Sequence, residues 1–100
     1  MINVIPLTDE EIITKIKKTI SVNLPDSKII LFGSRTKNKA TSKSDFDICI
    51  KNNEKISALL LYKIKEELDL LATLKKIDIS DYHELSDSFK EQIFETGVKL

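Results

Sequence analysis

Four residues frame the chemistry this chain could do: Gly33, Ser34, Asp45 and Asp47. Asp45-Phe46-Asp47 places two carboxylates two residues apart. On a strand that spacing puts both on one side and leaves Phe46, Ile48 and Ile50 to face a core. Two parallel carboxylates repel each other unless a cation sits between them. Magnesium suits such a pair, because it prefers hard oxygen ligands and commonly links carboxylates to substrate phosphates. Two ions about 4 Å apart can activate an attacking oxygen and stabilise a leaving one. The bland alternative is the solvated outer face of a strand. Gly33-Ser34 follows a short apolar run, Lys28 to Phe32. Glycine lets a phosphate approach the backbone closely, and a helix starting there would aim free amides at it. Taken alone, Gly-Ser after a strand is an ordinary turn.

A third carboxylate would complete a metal site. Asp78 and Asp81 are the candidates on a later alternating stretch, Lys76 to Tyr82. Ile77 and Ile79 should be buried, so Asp78 falls on the accessible face. It is assigned as third metal ligand or general base. Asp81 shares the Ile face and reads as a strand-end or loop-capping residue.

The elements that would hold these groups follow from periodicity. Thr8 with Glu11 forms a capping box, and Leu7 with Ile12 a hydrophobic staple. Ile12, Ile13, Ile16 and Ile20 then make one helical stripe, ended by Pro25-Asp26. Lys28 to Phe32 reads as a buried strand. Residues 35 to 44 are polar, with a first turn that is helical or else a loop throughout. Asp45 to Ile50 is the carboxylate strand, broken by Asn52-Asn53. Ile56, Leu60, Ile64, Leu68 and Leu71 predict a long helix. After the Asp78 strand, Ser88 with Glu91 predicts a second capping box. Phe89, Ile93 and Phe94 give the final helix an apolar side, and Gly97 a stop. The expected fold class is α/β, or α+β in some schemes: one domain over residues 1–100, with a small mixed sheet and helices mainly on one face.

Composition narrows the function classes. Lys plus Arg and Asp plus Glu both number 16, so the chain is formally neutral, which argues against a general nucleic-acid binder. One cysteine, Cys49, excludes an internal disulfide and suits a reducing compartment. There is no apolar run long enough for a membrane span and no basic leader at the start, so the expected location is the cytoplasm.

The order Gly33-Ser34, ten residues from Arg35 to Ser44, then Asp45-Phe46-Asp47 and later Asp78 resembles the signature of the DNA polymerase beta-like nucleotidyltransferase superfamily, and its minimal bacterial members in particular. Arg35, Ala40 and Ser44 match residues often seen in that spacer. The tail from Lys76 to Leu100 looks like the family too, so the resemblance spans nearly the whole chain. Two positions depart from it: Asn38 stands where many relatives carry Gly, and Ser42 where many carry Pro. Both concern loop shape, and Asn tolerates positive φ.

The resemblance implies a palm-like core and Mg-dependent attack on the α-phosphate of a nucleoside triphosphate, with pyrophosphate leaving. It implies two Mg²⁺ ions on Asp45, Asp47 and Asp78, and β- and γ-phosphate contacts from Gly33 and Ser34, with Arg35 beside them. ATP is expected because small relatives transfer adenylyl groups. Larger relatives add a helical domain for the acceptor, and this chain ends soon after its third carboxylate. By resemblance, the acceptor is then a hydroxyl on a separate helical protein of the HEPN toxin or substrate-binding-subunit type, with this chain as antitoxin. A homo- or hetero-oligomer fits that role. Two other readings stand beside it: a non-catalytic antitoxin that only covers its partner, and a small-molecule nucleotidyltransferase subunit.

Other residues carry less. Lys37, Lys39 and Lys43 either steer a triphosphate or are a solvated loop. His83 lacks a second zinc ligand nearby and reads as a loop residue. Cys49 lies at the site's edge or is small buried packing. Leu59 to Leu61 and Tyr62 extend the third helix's apolar surface, as core or as a partner surface.

Overall fold

The computed structural model describes residues 7–33, 46–71, 73 and 75–100. The elements run α1 (Asp9–Asn23), β1 (Lys28–Phe32), β2 (Phe46–Lys51), α2 (Ala58–Asp69), β3 (Ile77–Asp81), a 3-10 turn (Tyr82–Glu84), α3 (Asp87–Thr96) and β4 (Val98–Lys99). The strands form one sheet in the order β3-β2-β1-β4. β1 pairs antiparallel with β2 and with β4, while β2 and β3 are parallel, so the sheet is mixed. The parallel pair needs a crossover, and α2 supplies it.

α1 begins as its sequence dictates. The Thr8 hydroxyl accepts from the Glu11 amide at 3.2 Å, and the Glu11 carboxylate accepts from the Thr8 amide at 3.2 Å. Those bonds hold the Glu11 carboxyl below its ordinary value, the Thr8 backbone contact contributing most. Ile12, Ile16 and Ile20 are fully buried, one turn apart, and Leu7 packs against the same core. Burying each such side chain contributes about 1.5–3 kcal/mol. α1 and α2 cover one face of the sheet, meeting Ile29 and Leu31 of β1, Phe46, Ile48 and Ile50 of β2, and Ile79 of β3.

Three expectations change. α2 is shorter than its apolar spacing suggests: Ser57 caps it by accepting from the Leu60 amide at 3.2 Å, so Ile56 precedes the helix and Leu71 follows it. Both still pack on the core, which is why the period ran past the helix ends. α3 is capped by Ser86, whose hydroxyl accepts from the Phe89 amide at 3.2 Å, and not by a Ser88–Glu91 box. Starting the helix two residues earlier places Ser88 inside its first turn. Phe94 is 88% exposed, because it lies one residue, about 100° of helix, beyond the buried Ile93. Helices lie mainly on one face, as expected, with one exception. α3 lies against the other side of β1, where Phe89 meets Phe32 edge to face at 5.6 Å.

Gly97 ends the last helix as expected. It caps α3, its amide donating to the Ile93 carbonyl at 2.8 Å, and the chain then runs on into a strand the periodicity did not show, β4, which pairs Val98 with Leu31 and Lys99 with Ile30. Gly97 has an ordinary φ of −71°. Its small size matters for a different reason: a Cβ there would collide with the Ile93 carbonyl and the Ile30 side chain. No described helix is long and apolar enough to cross a membrane.

Candidate functional site

The second face of the sheet carries the carboxylates. β2 buries Phe46, Ile48 and Ile50 completely, so alternation turns Asp47 to the opposite side. In the parallel pairing Asp47 stands beside Asp78, as Ile48 stands beside Ile79. Adjacent strands lie about 4.8 Å apart, so the two carboxylates start from neighbouring points on one face. Asp78 remains open, with a side chain 45% exposed and the Lys76 ammonium 3.6 Å from its Oδ1. Lys76 was missed in the sequence, although the same alternation puts 76, 78 and 80 on one side.

Gly33 closes the site from β1. It has φ +79°, which side-chain-bearing residues rarely adopt, and a Cβ would run into the Asp47 carboxylate, only 3.2 Å from its Cγ. The register explains the proximity: Phe32 is the cross-strand partner of Asp47, and Gly33 is the next residue. The glycine is therefore required by the carboxylate. Ser34, Arg35 and Asp45 lie outside the described residues, as does the whole 34–45 segment. Among the described residues no three His, Cys, Asp or Glu side chains gather as a metal site. Asp47 and Asp78 supply two carboxylates in register, hard oxygen donors whose chemistry fits magnesium.

Asp47 also opens onto a cavity of about 240 Å³. Phe32 and Gly33 at the end of β1 line it together with Phe89, Gln92, Ile93 and Thr96 of α3. No spacing signal announced this cavity, since its walls are more than fifty residues apart in the chain and meet only because β4 ties the end of α3 to β1.

The other candidates sort by alternation. Asp81 is 2% exposed on the core side, where Oδ2 accepts from the Ile56 amide at 2.8 Å and Oδ1 from the His83 amide at 3.0 Å. It is the strand-end capping residue expected from its phase. His83 sits in the 3-10 turn and donates from Nε2 to the Asn52 carbonyl at 2.7 Å. Cys49 is on the Asp47 side but fully buried. Burial pushes its thiol up to about 11, with the Asp81 charge adding to the effect. Tyr62 is 60% exposed on α2 and Leu59 85%, so that part of the helix is surface, not core. The Tyr62 hydroxyl bonds the Glu66 side chain, which raises its pKa.

The sequence profile of the "Polymerase beta, Nucleotidyltransferase" family matches residues 12–100, which takes in both aspartates, the glycine and the cavity walls. The chain belongs to that family. Among curated relatives, it is 34% identical over 86 residues to the Haemophilus influenzae protein named "Probable protein adenylyltransferase MntA", covering 85% of this chain and 75% of that one. Among solved structures, a toxin–antitoxin crystal structure with AMP-PNP superposes with a TM-score of 0.72 at 24% identity, covering 86% of this chain and 69% of that chain. The MNT antitoxin bound to a tri-AMPylated HEPN toxin from Shewanella oneidensis gives 0.71 at 22%, covering 92% and 71%. These likenesses fix the nucleotidyltransferase fold expected from Gly33-Ser34 and the aspartates.

Proposed function

We propose that this chain is a Mg-dependent adenylyltransferase that moves AMP from ATP to a hydroxyl of a helical HEPN-type partner, and so acts as antitoxin of a two-component pair in the cytoplasm. The observation that carries the reading is the in-register Asp47–Asp78 pair with Gly33 packed against it. The relative named as an adenylyltransferase and the antitoxin complexes of the same fold supply the acceptor class.

In this reading one nucleotidyltransferase domain holds the whole site. Asp45, Asp47 and Asp78 hold Mg²⁺, and Gly33, Ser34 and Arg35 grip the β- and γ-phosphates. Magnesium, when bound, supplies charge neutralisation of the triphosphate and of the leaving pyrophosphate. The rest falls to the chain's own groups. Gly33 lets a phosphate come down onto the backbone beside Asp47, where any side chain would block it. Asp78, partly open to solvent, is placed either to join the metal ligands or to accept the proton of the attacking hydroxyl. The lysine beside it, Lys76, balances its charge before substrate arrives.

A second reading, neutralisation by binding alone, draws on the exposed Leu59 and Tyr62 of α2. One experiment separates the two. The chain, its helical partner and Mg-ATP labelled on the α-phosphate are incubated together. Label should move to the partner, and Asp47→Asn or Asp78→Asn should stop it while the complex still forms. Full neutralisation of the partner in cells by the Asp→Asn chains would leave binding as the function.

A further inference from the structure

We infer that the cavity between the end of β1 and α3 receives the nucleobase of the substrate, and that Gln92 selects adenine there. The inference rests on the nucleotidyltransferase reading and adds where the nucleoside goes and what reads it.

Three observations lead to it. First, the cavity is continuous with the chemistry: Asp47 and Gly33 form part of its lining. A triphosphate gripped beside Gly33 therefore delivers its nucleoside within reach of α3. Second, the lining suits a flat heterocycle. Phe32 and Phe89 meet edge to face and give an aromatic wall, of the kind on which any base can stack. A cavity of about 240 Å³ is too narrow for a protein helix but admits a ring. Third, the polar groups are few and of one useful type. Gln92 projects an amide with a donor and an acceptor side by side. Adenine's N6 amino group donates and its N7 accepts, complementing the amide's oxygen and NH2 group, whereas guanine's O6 and N7 are both acceptors. One amide can satisfy both positions on adenine and only one on guanine. The Thr96 hydroxyl does not compete for that amide, since it donates to the Gln92 backbone carbonyl at 2.8 Å.

Phe89 and Gln92 belong to a helix whose position depends on β4. The pairing of Val98 with Leu31 anchors the C-terminal end of α3 beside β1. The base pocket is thus assembled by the strand that periodicity did not reveal.

The test uses the full chain and calorimetric titration with Mg-ATP, Mg-GTP and Mg-tripolyphosphate. Tripolyphosphate probes the phosphate grip without a base. Two variants act on the cavity, Gln92→Ala and Thr96→Trp. Both residues are exposed, so melting curves should match the wild type and confirm intact folding. The wild type should bind ATP more tightly than GTP. Gln92→Ala should weaken ATP on the order of ten-fold, narrow the gap to GTP and leave tripolyphosphate unchanged. Thr96→Trp should fill the cavity and reduce ATP affinity to that of tripolyphosphate. An unchanged ATP-to-GTP ratio in Gln92→Ala, or wild-type ATP binding by Thr96→Trp, overturns the inference. If Thr96→Trp keeps ATP but loses transfer to the partner, the cavity holds the acceptor side chain instead. Failure of the wild type to bind either ATP or tripolyphosphate would defeat the nucleotidyltransferase reading itself, and this inference with it.

Discussion

One face of the sheet carries Ile29, Leu31, Phe46, Ile48, Ile50 and Ile79 under α1 and α2; the other carries Asp47, Asp78 and Cys49, with α3 over only part of it. Both faces come from the same strands, one residue out of phase. On the first face nearly every side chain is apolar and closed off, so its residues act through packing. On the second, charge is left open and a helix stands back far enough to leave a cavity. The contrast predicts that substitutions on the two faces damage different properties.

The largest effect expected is on activity. Asp47→Asn should lower adenylyl transfer on the order of a thousand-fold, the scale of a lost metal contact. Its melting temperature should stay within a few degrees of wild type, because a half-buried carboxylate beside Asp78 contributes little packing. Relief of like-charge repulsion works in its favour. Parallel transfer assays and thermal melts read both quantities, and a large loss of stability would break the division between faces.

One residue along the chain, Ile48→Ala should do the reverse. Ile48 is fully buried between Leu31 and Ile79, its neighbours on adjacent strands. Removing it should cost about 2–5 kcal/mol, a large share of the stability of a small domain. Urea unfolding would show a lower midpoint with the slope retained. Any activity loss should vanish when the variant is assayed well below its melting temperature.

Asp81→Ala sharpens the comparison, because this carboxylate lies on the packed face. The Ile56 amide would lose its acceptor in a buried position and the His83 amide in a partly buried one. A loss of roughly 1–3 kcal/mol is expected, measured by the same unfolding series. Transfer by the folded protein should persist, which would separate Asp81 from Asp78 functionally as alternation separates them structurally.

How far the sequence disclosed these faces depends on the signal each residue gave. Ile12, Ile16 and Ile20 sit at strict helical spacing, and Thr8 with Glu11 marks their start, so the start and buried face of α1 were readable, while its end at Asn23 falls just short of Pro25-Asp26. Asp78 could be chosen over Asp81 because Ile77 and Ile79 fixed the phase of β3. β4 was hidden because two residues, Val98 and Lys99, are too few to show alternation. Ser86 was hidden behind Ser88, which offered the more familiar partner in Glu91. Phe94 misled because two aromatics and an isoleucine over six residues fit a helical stripe only if the helix phase is already known. The cavity needed the tertiary pairing of β4 with β1, which no local pattern encodes.

Cys49 gives the smallest effect and tests a place where the open face is closed. It follows Asp47 by two residues, so alternation puts it on the carboxylate side, yet it is fully buried. Its thiol is raised from an ordinary value of 9.0 to about 11, chiefly by burial and secondarily by the Asp81 charge. Below pH 9 the thiol is protonated in both folded and unfolded chains and has no pH effect. As the pH rises past 9 the unfolded chain releases this proton while the folded chain keeps it. The unfolded state then binds fewer protons, so stability falls with pH and levels off near 11. Other groups titrate in the same window, so the measurement is a difference. Wild type and Cys49→Ser are unfolded in urea at pH 8, 9.5 and 11. The wild type should lose roughly 2 kcal/mol more than the variant across that range. A thiol reagent at pH 8 should react with the wild type only at the rate of its unfolding. Fast labelling of the folded chain would mean that the cover over Cys49 opens, and that the carboxylate face is solvent-accessible along the whole of β2.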